Sequence, residues 1–275
     1  MRFASIIVLL YSIVPSALAH GDLHGRIEAL SARIKQVPQD LELYQQRGEL
    51  LLQHEEYTIA RRDFERCRRL GYTSARLYYC LGKVYFHLQK FRRSKHYLDI
   101  SLDLEPTDIK SLGLMAMCHV AKREYTGAIK QYSLQIKHSV RTRPSVYLDL
   151  ARVYSLKGDL DMAIQTLKCG ISRLGLLPAF SSQLLLYYKM GQYDQLAIEL
   201  QTELIRVCMR KEFALFERAL LFYTQDNYPA AQADLVAATD CIEKLPDHIR
   251  KGSIIRRLVH QIEEQWIKFK LAKDD

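Results

Sequence analysis

The sequence of 275 residues predicts an all-α fold built from repeated pairs of helices. Glycine and proline are sparse, at 12 and 7 residues, which argues against the many tight turns of an all-β fold. A pattern of small and bulky residues recurs at intervals of 33 to 35 residues between Leu41 and Cys241. Hydrophobic residues make up 48% of the chain, enough to bury a continuous core.

The first residues predict that the protein is exported, and we do not expect them to be part of the fold. Arg2 is followed by an apolar run over residues 6–14 and by Ala17-Leu18-Ala19, a small-residue cleavage pattern. We therefore expect residues 1–19 to be a signal peptide cleaved after Ala19, and the protein to be periplasmic or secreted. An uncleaved anchor is the alternative, although the apolar run is shorter than the ~20 residues of a spanning helix. No cysteine follows the cleavage pattern, as a lipid-anchored precursor would require.

The repeat is defined by a small residue in the first helix of each pair. Gly48, Gly82, Ala116, Ala151, Leu184 and Ala219 are placed at this position, at intervals of 34, 34, 35, 33 and 35 residues. The second helices show the matching series Ala60, Ser94, Ala128, Ala163, Leu196 and Ala231, and, four residues further on, Phe64, Leu98, Tyr132, Leu167, Leu200 and Leu235. Small residues allow two helices to approach closely while large ones fill the space beside them. Repeat five fits least well, because it has leucine at both small positions.

Amphipathic segments flank the six predicted repeats. Residues 22–36 carry Leu23, Ile27, Leu30 and Ile34 at helical spacing, and residues 249–271 carry Ile254, Leu258, Ile262, Trp266 and Phe269. Because a stack of repeats exposes apolar surface at its ends, these helices are predicted to be caps. The predicted organisation is a signal peptide at 1–19, an N-terminal helix at 20–40, repeats at 41–242 and a capping helix at 243–275.

The second repeat carries the clearest resemblance to a known family. Tyr78, Leu81-Gly82, Tyr85, Phe91, Ser94, Leu98 and Pro106 resemble the consensus of the tetratricopeptide repeat (TPR). This resemblance implies a right-handed superhelical solenoid of about six helix-turn-helix repeats. The short leader and the immediately following repeats are similar to bacterial exported TPR proteins of unassigned biochemistry.

The resemblance also implies a binding surface, because the first helices of TPR arrays line a concave groove. The residues expected there are Arg76, Tyr79, Lys83, Phe86, Lys110, Met117, Leu148, Arg152, Tyr188, Lys189, Phe216 and Tyr223. Aromatic and basic side chains together suit a protein or peptide partner with acidic groups. Partial burial between neighbouring first helices is the alternative for each of them. Gln45, Glu49 and Leu114 do not match the Lys/Asn/Arg clamp by which some TPR proteins hold a C-terminal carboxylate.

No motif predicts catalysis or a cofactor. The sequence lacks a phosphate-binding glycine loop, a zinc-protease motif and a nucleophile elbow, so we predict a scaffold that is not an enzyme. His20, which would be the mature N-terminus, and His24 are weak candidates for copper or zinc. Two histidines without a third ligand form a poor site, and a frayed terminus is the alternative.

The net charge of +9 leaves a second binding mode open. A basic patch contains Arg61, Arg62, Arg66, Arg68, Arg69, Arg92, Arg93 and Lys95. It would attract an anionic envelope polymer, although such charges more often solvate outer helix faces. Nucleic acid is not expected as the partner of an exported protein.

The six cysteines are widely spaced. Cys67, Cys80, Cys118, Cys169, Cys208 and Cys241 form no C-x-x-C pair and no cluster with histidine. An exported protein meets an oxidising compartment, where disulfides are possible. We favour the interpretation that these cysteines are small packing residues.

Overall fold

The computed structural model describes residues 23–274, which contain helices and turns and no strand. The chain divides between Asp159 and Leu160 into two compact units. The division falls in the turn Lys157-Gly158-Asp159. It separates the two helices of the fourth predicted repeat.

The first unit contains eight described helices. Helix α1 covers residues 23–36, and the following helices are α2 (Leu41–Gln53), α3 (Tyr57–Arg69), α4 (Ala75–His87), α5 (Phe91–Leu104), α6 (Ile109–Ala121), α7 (Tyr125–His138) and α8 (Pro144–Lys157). Consecutive helices pack against each other from α2 to α8, and the first helices α2, α4 and α6 also contact one another in that order. Asp40, Ser74 and Asp108 cap the N-termini of α2, α4 and α6 with side-chain hydrogen bonds.

The second unit contains the remaining helices of the described chain. They are α9 (Leu160–Leu174), α10 (Pro178–Met190), α11 (Asp194–Val207), α12 (Glu212–Thr224), α13 (Tyr228–Glu243), α14 (Asp247–Arg250) and α15 (Ser253–Asp274). The sequence predicts one final helix over 249–271, whereas α14 and α15 are separate and are interrupted at Lys251-Gly252.

The small residues of the first helices lie where a second helix comes closest. A Cβ atom added to Gly82 would lie 2.7 Å from Cγ of Leu98, and one added to Gly48 would lie 2.7 Å from Cε1 of Phe64. Leu98 and Phe64 are completely buried. The predicted small-to-large contact is therefore confirmed in the first two repeats.

The turn inside each pair is the same local structure in all six repeats. A residue with positive φ follows each first helix: Glu55, Gln89, Arg123, Gly158, Gln192 and Asp226. The next residue donates its amide N–H to a carbonyl five residues earlier, for example Lys90 to Tyr85 at 2.8 Å and Tyr193 to Tyr188 at 2.8 Å. This is the Schellman arrangement, which satisfies the last carbonyls of a helix.

These turns correct the predicted register of repeat five by one residue. Counted back from the positive-φ residue Gln192, the position equivalent to Gly82 is Leu185 and not Leu184. In the second helix the buried small residue is Ala197, which is fully buried, and not Leu196, which is half-buried. Repeat five therefore has a small residue in its second helix. The large position four residues further on is Gln201, 2% exposed, and not the predicted Leu200, so both helices of this repeat depart from the pattern.

The terminal helices bury the apolar faces that the sequence predicts, with one exception. Ile34 is buried in the core of the first unit, with Ile27 and Leu30 packed against it. In α15 the buried residues include Leu258, Ile262 and Phe269. The prediction for Ile254 is wrong, because Ile254 is 69% exposed and Ile255, one residue later, takes the core position at 2%.

A matching ion pair is found in the first and the last repeat. Arg47 on α2 donates two hydrogen bonds to Asp63 on α3, both of 2.7 Å, and a third of 3.1 Å to Ser31 on α1. Arg218 on α12 makes the same three contacts at 2.7 to 2.9 Å, with Asp234 on α13 and Thr202 on α11. Ser31 and Thr202 each lie 16 residues before their arginine. Helix α1 thus takes the place that a second helix has in a preceding repeat.

Candidate functional site: two grooves on the first helices of the first unit

Two adjoining grooves lie along α4, α6 and α8. The upstream groove has a volume of about 730 Å³ and is lined by Glu49, Leu52, Gln53, Ala75, Arg76, Tyr79, Cys80, Lys83, Glu105, Asp108 and Lys110. The downstream groove, of about 260 Å³, is lined by Tyr79, Lys83, Phe86, His87, Lys110, Gly113, Leu114, Met117, Tyr132, Gln135, Arg143, Ser145, Val146 and Asp149. Tyr79, Lys83 and Lys110 belong to both.

The structure brings six of the predicted groove residues together here. Arg76, Tyr79, Lys83 and Phe86 lie on α4, and Lys110 and Met117 lie on α6. Residues at this helical spacing share one face of α4, and the contact between α4 and α6 places the two faces side by side. Because these side chains line open grooves, they are available to a partner. Their role in binding stays a prediction.

The cations of this surface differ in whether they already have a partner. Arg76 donates two hydrogen bonds to Glu49, one of 2.6 Å from Nε, and these bonds raise the pKa of Arg76. By contrast, Lys83, Lys110 and Arg143 form no ion pair with any carboxylate in the described chain. The downstream groove is therefore the more positive of the two.

Tyr79 and His87, which line the downstream groove, each feel the charge of one of its unpaired cations. Burial raises the pKa of Tyr79, and the charge of Arg143 acts on its hydroxyl in the opposite direction. Burial and then the charge of Lys83 lower the pKa of His87. The ring of His87 also stacks on Tyr57, with the ring centroids 4.5 Å apart.

Two further predicted residues of the first unit lie at or beside the downstream groove. Arg152 is exposed and bonds Asp149 at 2.9 Å, and Asp149 lines the groove. Burial raises the pKa of Asp149, and the charge of Arg152 counteracts this rise. Leu148 is half-buried on the same helix.

Sequence reasoning missed Arg143 and Gln135 as groove residues. Arg143 stands immediately before Pro144 at the start of α8, and the sequence shows it only as part of a turn. Gln135 lies on a second helix, which the resemblance does not place at the groove. Cations in the loop before a first helix are the signal that would have identified Arg143.

In the second unit the prediction for Tyr188 is wrong. Tyr188 is only 3% exposed, because the corrected register of repeat five puts it at the position of buried Tyr85. In the corrected register Leu186 is equivalent to the groove residue Lys83, and it is 50% exposed. Lys189 is exposed but is bonded to Glu217 on α12 at 2.5 Å.

The other two predicted residues of the second unit are mainly packing residues. Phe216 is 7% exposed and forms part of the floor of a cavity of about 290 Å³ between α12 and α15. Tyr223 packs edge-on against Phe269, with centroids 5.0 Å apart, and also contacts Tyr228. Both residues therefore hold the terminal helix in place.

Much of the basic patch on α3 and α5 is already engaged within the fold. Arg66 lies over the ring of Tyr44 at 4.7 Å, Arg68 bonds Glu65 at 2.9 Å, and Lys95 bonds Glu124 at 2.6 Å. The structure shows no comparable partners for the side chains of Arg62 and Arg92, which are exposed.

The histidine candidates are not brought into a metal site by the described residues. His24 is exposed and lies 3.2 Å from Glu28, and its ring is 6.3 Å from that of His54. His20 lies outside the described residues, as does the whole predicted signal peptide. Between residues 23 and 274 no group of three His, Cys, Asp or Glu residues is arranged to hold a metal ion. Over the same range, no helix has the length and apolarity needed to cross a membrane.

All six cysteines are free thiols in the structure. Cys67, Cys80 and Cys118 are buried, as expected of packing residues, while Cys169 is exposed and Cys208 and Cys241 are half-buried. Burial raises the pKa of Cys67 to about 11 and that of Cys80 to about 12. The buried thiols are thus poor nucleophiles at neutral pH.

The comparisons with known proteins confirm the resemblance to TPR proteins. Residues 144–172 match the family model described as tetratricopeptide repeat. The C-terminal part of a TPR repeat-containing protein from Cytophaga hutchinsonii is 14% identical, with 87% of this chain and 98% of that chain covered and a TM-score of 0.68. A comparison with curated proteins finds no significant sequence match.

Other solved structures are similar in the same way. A TPR protein from Parabacteroides merdae ATCC 43184 is 13% identical over 92% of this chain and 97% of its own, with a TM-score of 0.55. MamA from Desulfovibrio magneticus RS-1 is 16% identical over 60% and 92%, with a TM-score of 0.52. At these identities the likeness defines the fold. The protein has an all-α fold of helix pairs, as in these TPR structures.

Proposed function

We propose that this protein is an exported, non-catalytic scaffold that binds a segment of a partner protein in the grooves of its first unit. The observation that carries the proposal is the surface of α4, α6 and α8, where the unpaired cations Lys83, Lys110 and Arg143 line a groove with half-buried Phe86 and with Met117, which is 44% exposed. A preformed surface of this kind binds with little rearrangement. Aromatic anchors supply affinity, and cations steer the partner to the groove.

Capture of the partner by a groove variant tests the proposal. Lys83→Glu, Lys110→Glu and Met117→Asp together reverse two charges and make the groove floor polar. Met117 is 44% exposed and Lys110 is exposed, so the variant is expected to fold. The exported variant is expected to lose the envelope protein that co-purifies with the unmodified protein, with an unchanged melting temperature.

A matched variant of the second helices serves as the control. Arg62→Glu, Arg92→Glu and Ile59→Asp make the same change of charge and the same kind of apolar-to-acidic substitution, and Ile59 is 40% exposed. We expect this control to keep the partner. If only the control lost its ligand, and the ligand were an anionic polymer released by salt, the basic patch would be the binding surface and the groove proposal would be wrong.

Export is a separate part of the proposal and rests on residues 1–19. N-terminal sequencing of protein recovered from the envelope or the medium is expected to begin at His20. Recovery of the chain with Met1 intact would contradict cleavage.

A further inference from the structure

We infer that the partner segment is acidic around one large apolar residue, and that the downstream groove binds this residue while its neighbouring carboxylates meet Lys83, Lys110 and Arg143. The inference rests on the proposed function and names the chemistry of the partner.

The downstream groove is lined by three cations that have no carboxylate partner. Lys83, Lys110 and Arg143 come from α4, α6 and the start of α8, and all three line the downstream groove. The acidic side chain that lines this groove, Asp149, is already bonded to Arg152 at 2.9 Å. The downstream groove therefore carries more positive than negative side chains, while Glu105 and Asp108 lie in the adjoining upstream groove, which shares Lys83 and Lys110. A partner with carboxylates at this surface supplies the missing charge.

The floor of the downstream groove is apolar and small. Phe86, Leu114 and Met117 form an apolar surface between these cations. The volume of about 260 Å³ lies below the roughly 300–1,000 Å³ of pockets that enclose a whole small-molecule ligand. A space of this size suits one large side chain of an extended polypeptide.

An unpartnered acceptor favours a polypeptide over a phosphate polymer. Gln135 is 7% exposed, and its amide nitrogen donates to the carbonyl of Ile109 at 2.8 Å. This bond fixes the orientation of the amide, and Oε1 is left without a hydrogen-bond donor. A peptide backbone offers N–H donors, whereas a polyphosphate chain offers only acceptors. Gln135 lines both the downstream groove and a smaller cavity beside Lys110 and Arg143, and its buried Oε1 would accept such a donor after a shift of the side chain toward the groove.

Fluorescence anisotropy with defined peptides tests the inference. The probes are amidated, N-acetylated peptides with one phenylalanine flanked by aspartates, the same peptide with lysines for the aspartates, and the same peptide with serine for the phenylalanine. We expect the acidic phenylalanine peptide to bind at least about tenfold more tightly than either of the others. We also expect its affinity to fall with added salt.

Reversal of the lysine charges in the groove tests the inference more sharply than the peptide series alone. In Lys83→Glu/Lys110→Glu the preference is expected to invert, so that the lysine peptide binds more tightly than the aspartate peptide. In Arg62→Glu/Arg92→Glu the original preference is expected to remain. Inorganic polyphosphate is added as a competitor and is expected to displace the peptide only at concentrations where it also screens charge.

The inference is overturned if the aspartate and lysine peptides bind equally, if neither binds, or if polyphosphate binds the groove more tightly than the acidic peptide. The proposed function fails on a different result, namely partner capture that survives in the groove variant. A partner lost in that variant whose bound segment is not acidic would contradict the inference and leave the proposed function intact.

Discussion

Gly82 sets how closely α4 and α5 approach. A Cβ at this position would lie 2.7 Å from Leu98, whose side chain is fully buried and has little room to move. Gly82→Ala is therefore expected to lower the free energy of unfolding by about 1–3 kcal/mol through overpacking, despite the better helix propensity of alanine.

Gly25 is the control for Gly82. It is also helical, but an added Cβ would meet nothing within 4 Å. Gly25→Ala is expected to leave stability unchanged or to raise it by up to about 1 kcal/mol. Urea denaturation of both variants provides the measurement, and equal midpoints would contradict the packing account.

The stability of the protein is expected to depend on pH through the carboxylate of Glu65. Burial alone would raise the pKa of Glu65, but hydrogen bonds from Arg68, Tyr97 and Tyr85 outweigh burial and lower it. The folded pKa is thus below the unfolded value, so the stabilisation is complete above the unfolded pKa and is lost as pH falls through the folded pKa. Glu65→Gln is expected to lower the melting temperature at pH 7 and to lose less stability than the unmodified protein between pH 5 and pH 3. Parallel acid-induced losses in the two proteins would contradict this role.

At the scale of elements, the pairs Arg47–Asp63 and Arg218–Asp234 mark the first and last repeats. The side chains of Arg47 and Asp63 are 19% and 6% exposed, so removal of the Asp63 charge leaves a largely buried guanidinium without its carboxylate partner. Asp63→Ala is expected to cost about 3–5 kcal/mol of unfolding free energy, measured by urea denaturation.

A double variant separates this loss from a simple loss of volume. Leu81 and Tyr97 stand at the equivalent positions of the second repeat and belong to one core cluster, so Arg47→Leu/Asp63→Tyr copies an uncharged pair that the fold already accommodates. We expect it to recover most of the stability, because an apolar replacement of a buried pair is often neutral. A double variant as unstable as Asp63→Ala would show that the ion pair itself is needed.

The helix pairs were the most predictable part of the fold, since the small and bulky residues that define them are dictated by local packing. Repeat five was misplaced by one residue because its first helix has three adjacent leucines, Leu184 to Leu186, where the other repeats have a small residue that fixes the register. The same slip made Tyr188 a groove candidate. Ile254 was misassigned for a related reason, because two adjacent isoleucines fit the helical period almost equally well.

The groove was only partly predictable. Lys83, Phe86, Lys110 and Met117 follow from the TPR resemblance, which assigns one face of each first helix to the groove. Arg143 and Gln135 come from a loop and a second helix, and their approach to the groove depends on tertiary packing that no single-helix pattern contains. Whether a cation is paired, as Arg76 is with Glu49, likewise depends on contacts between helices.

At the scale of the whole molecule, the net charge of +9 is compatible with an acidic protein partner or an anionic polymer. What separates the two is where the unpaired charge lies. In the described chain, Arg62 and Arg92 of the basic patch are also unpaired, but the unpaired cations of the downstream groove line it together with the apolar side chains of Phe86, Leu114 and Met117. This distribution favours a polypeptide at the groove over a polymer on the patch.

Site-specific photocrosslinking in the cell that exports the protein shows whether the partner lies in the groove of the first unit. A photoreactive residue is introduced in place of Met117 on the groove floor or, as the control, of Ile59 on α3. We predict that the Met117 position yields a discrete protein adduct, that the Ile59 position does not, and that Lys83→Glu/Lys110→Glu abolishes the adduct. An adduct formed equally from both positions, or from Ile59 only, would contradict the claim that the groove binds the partner.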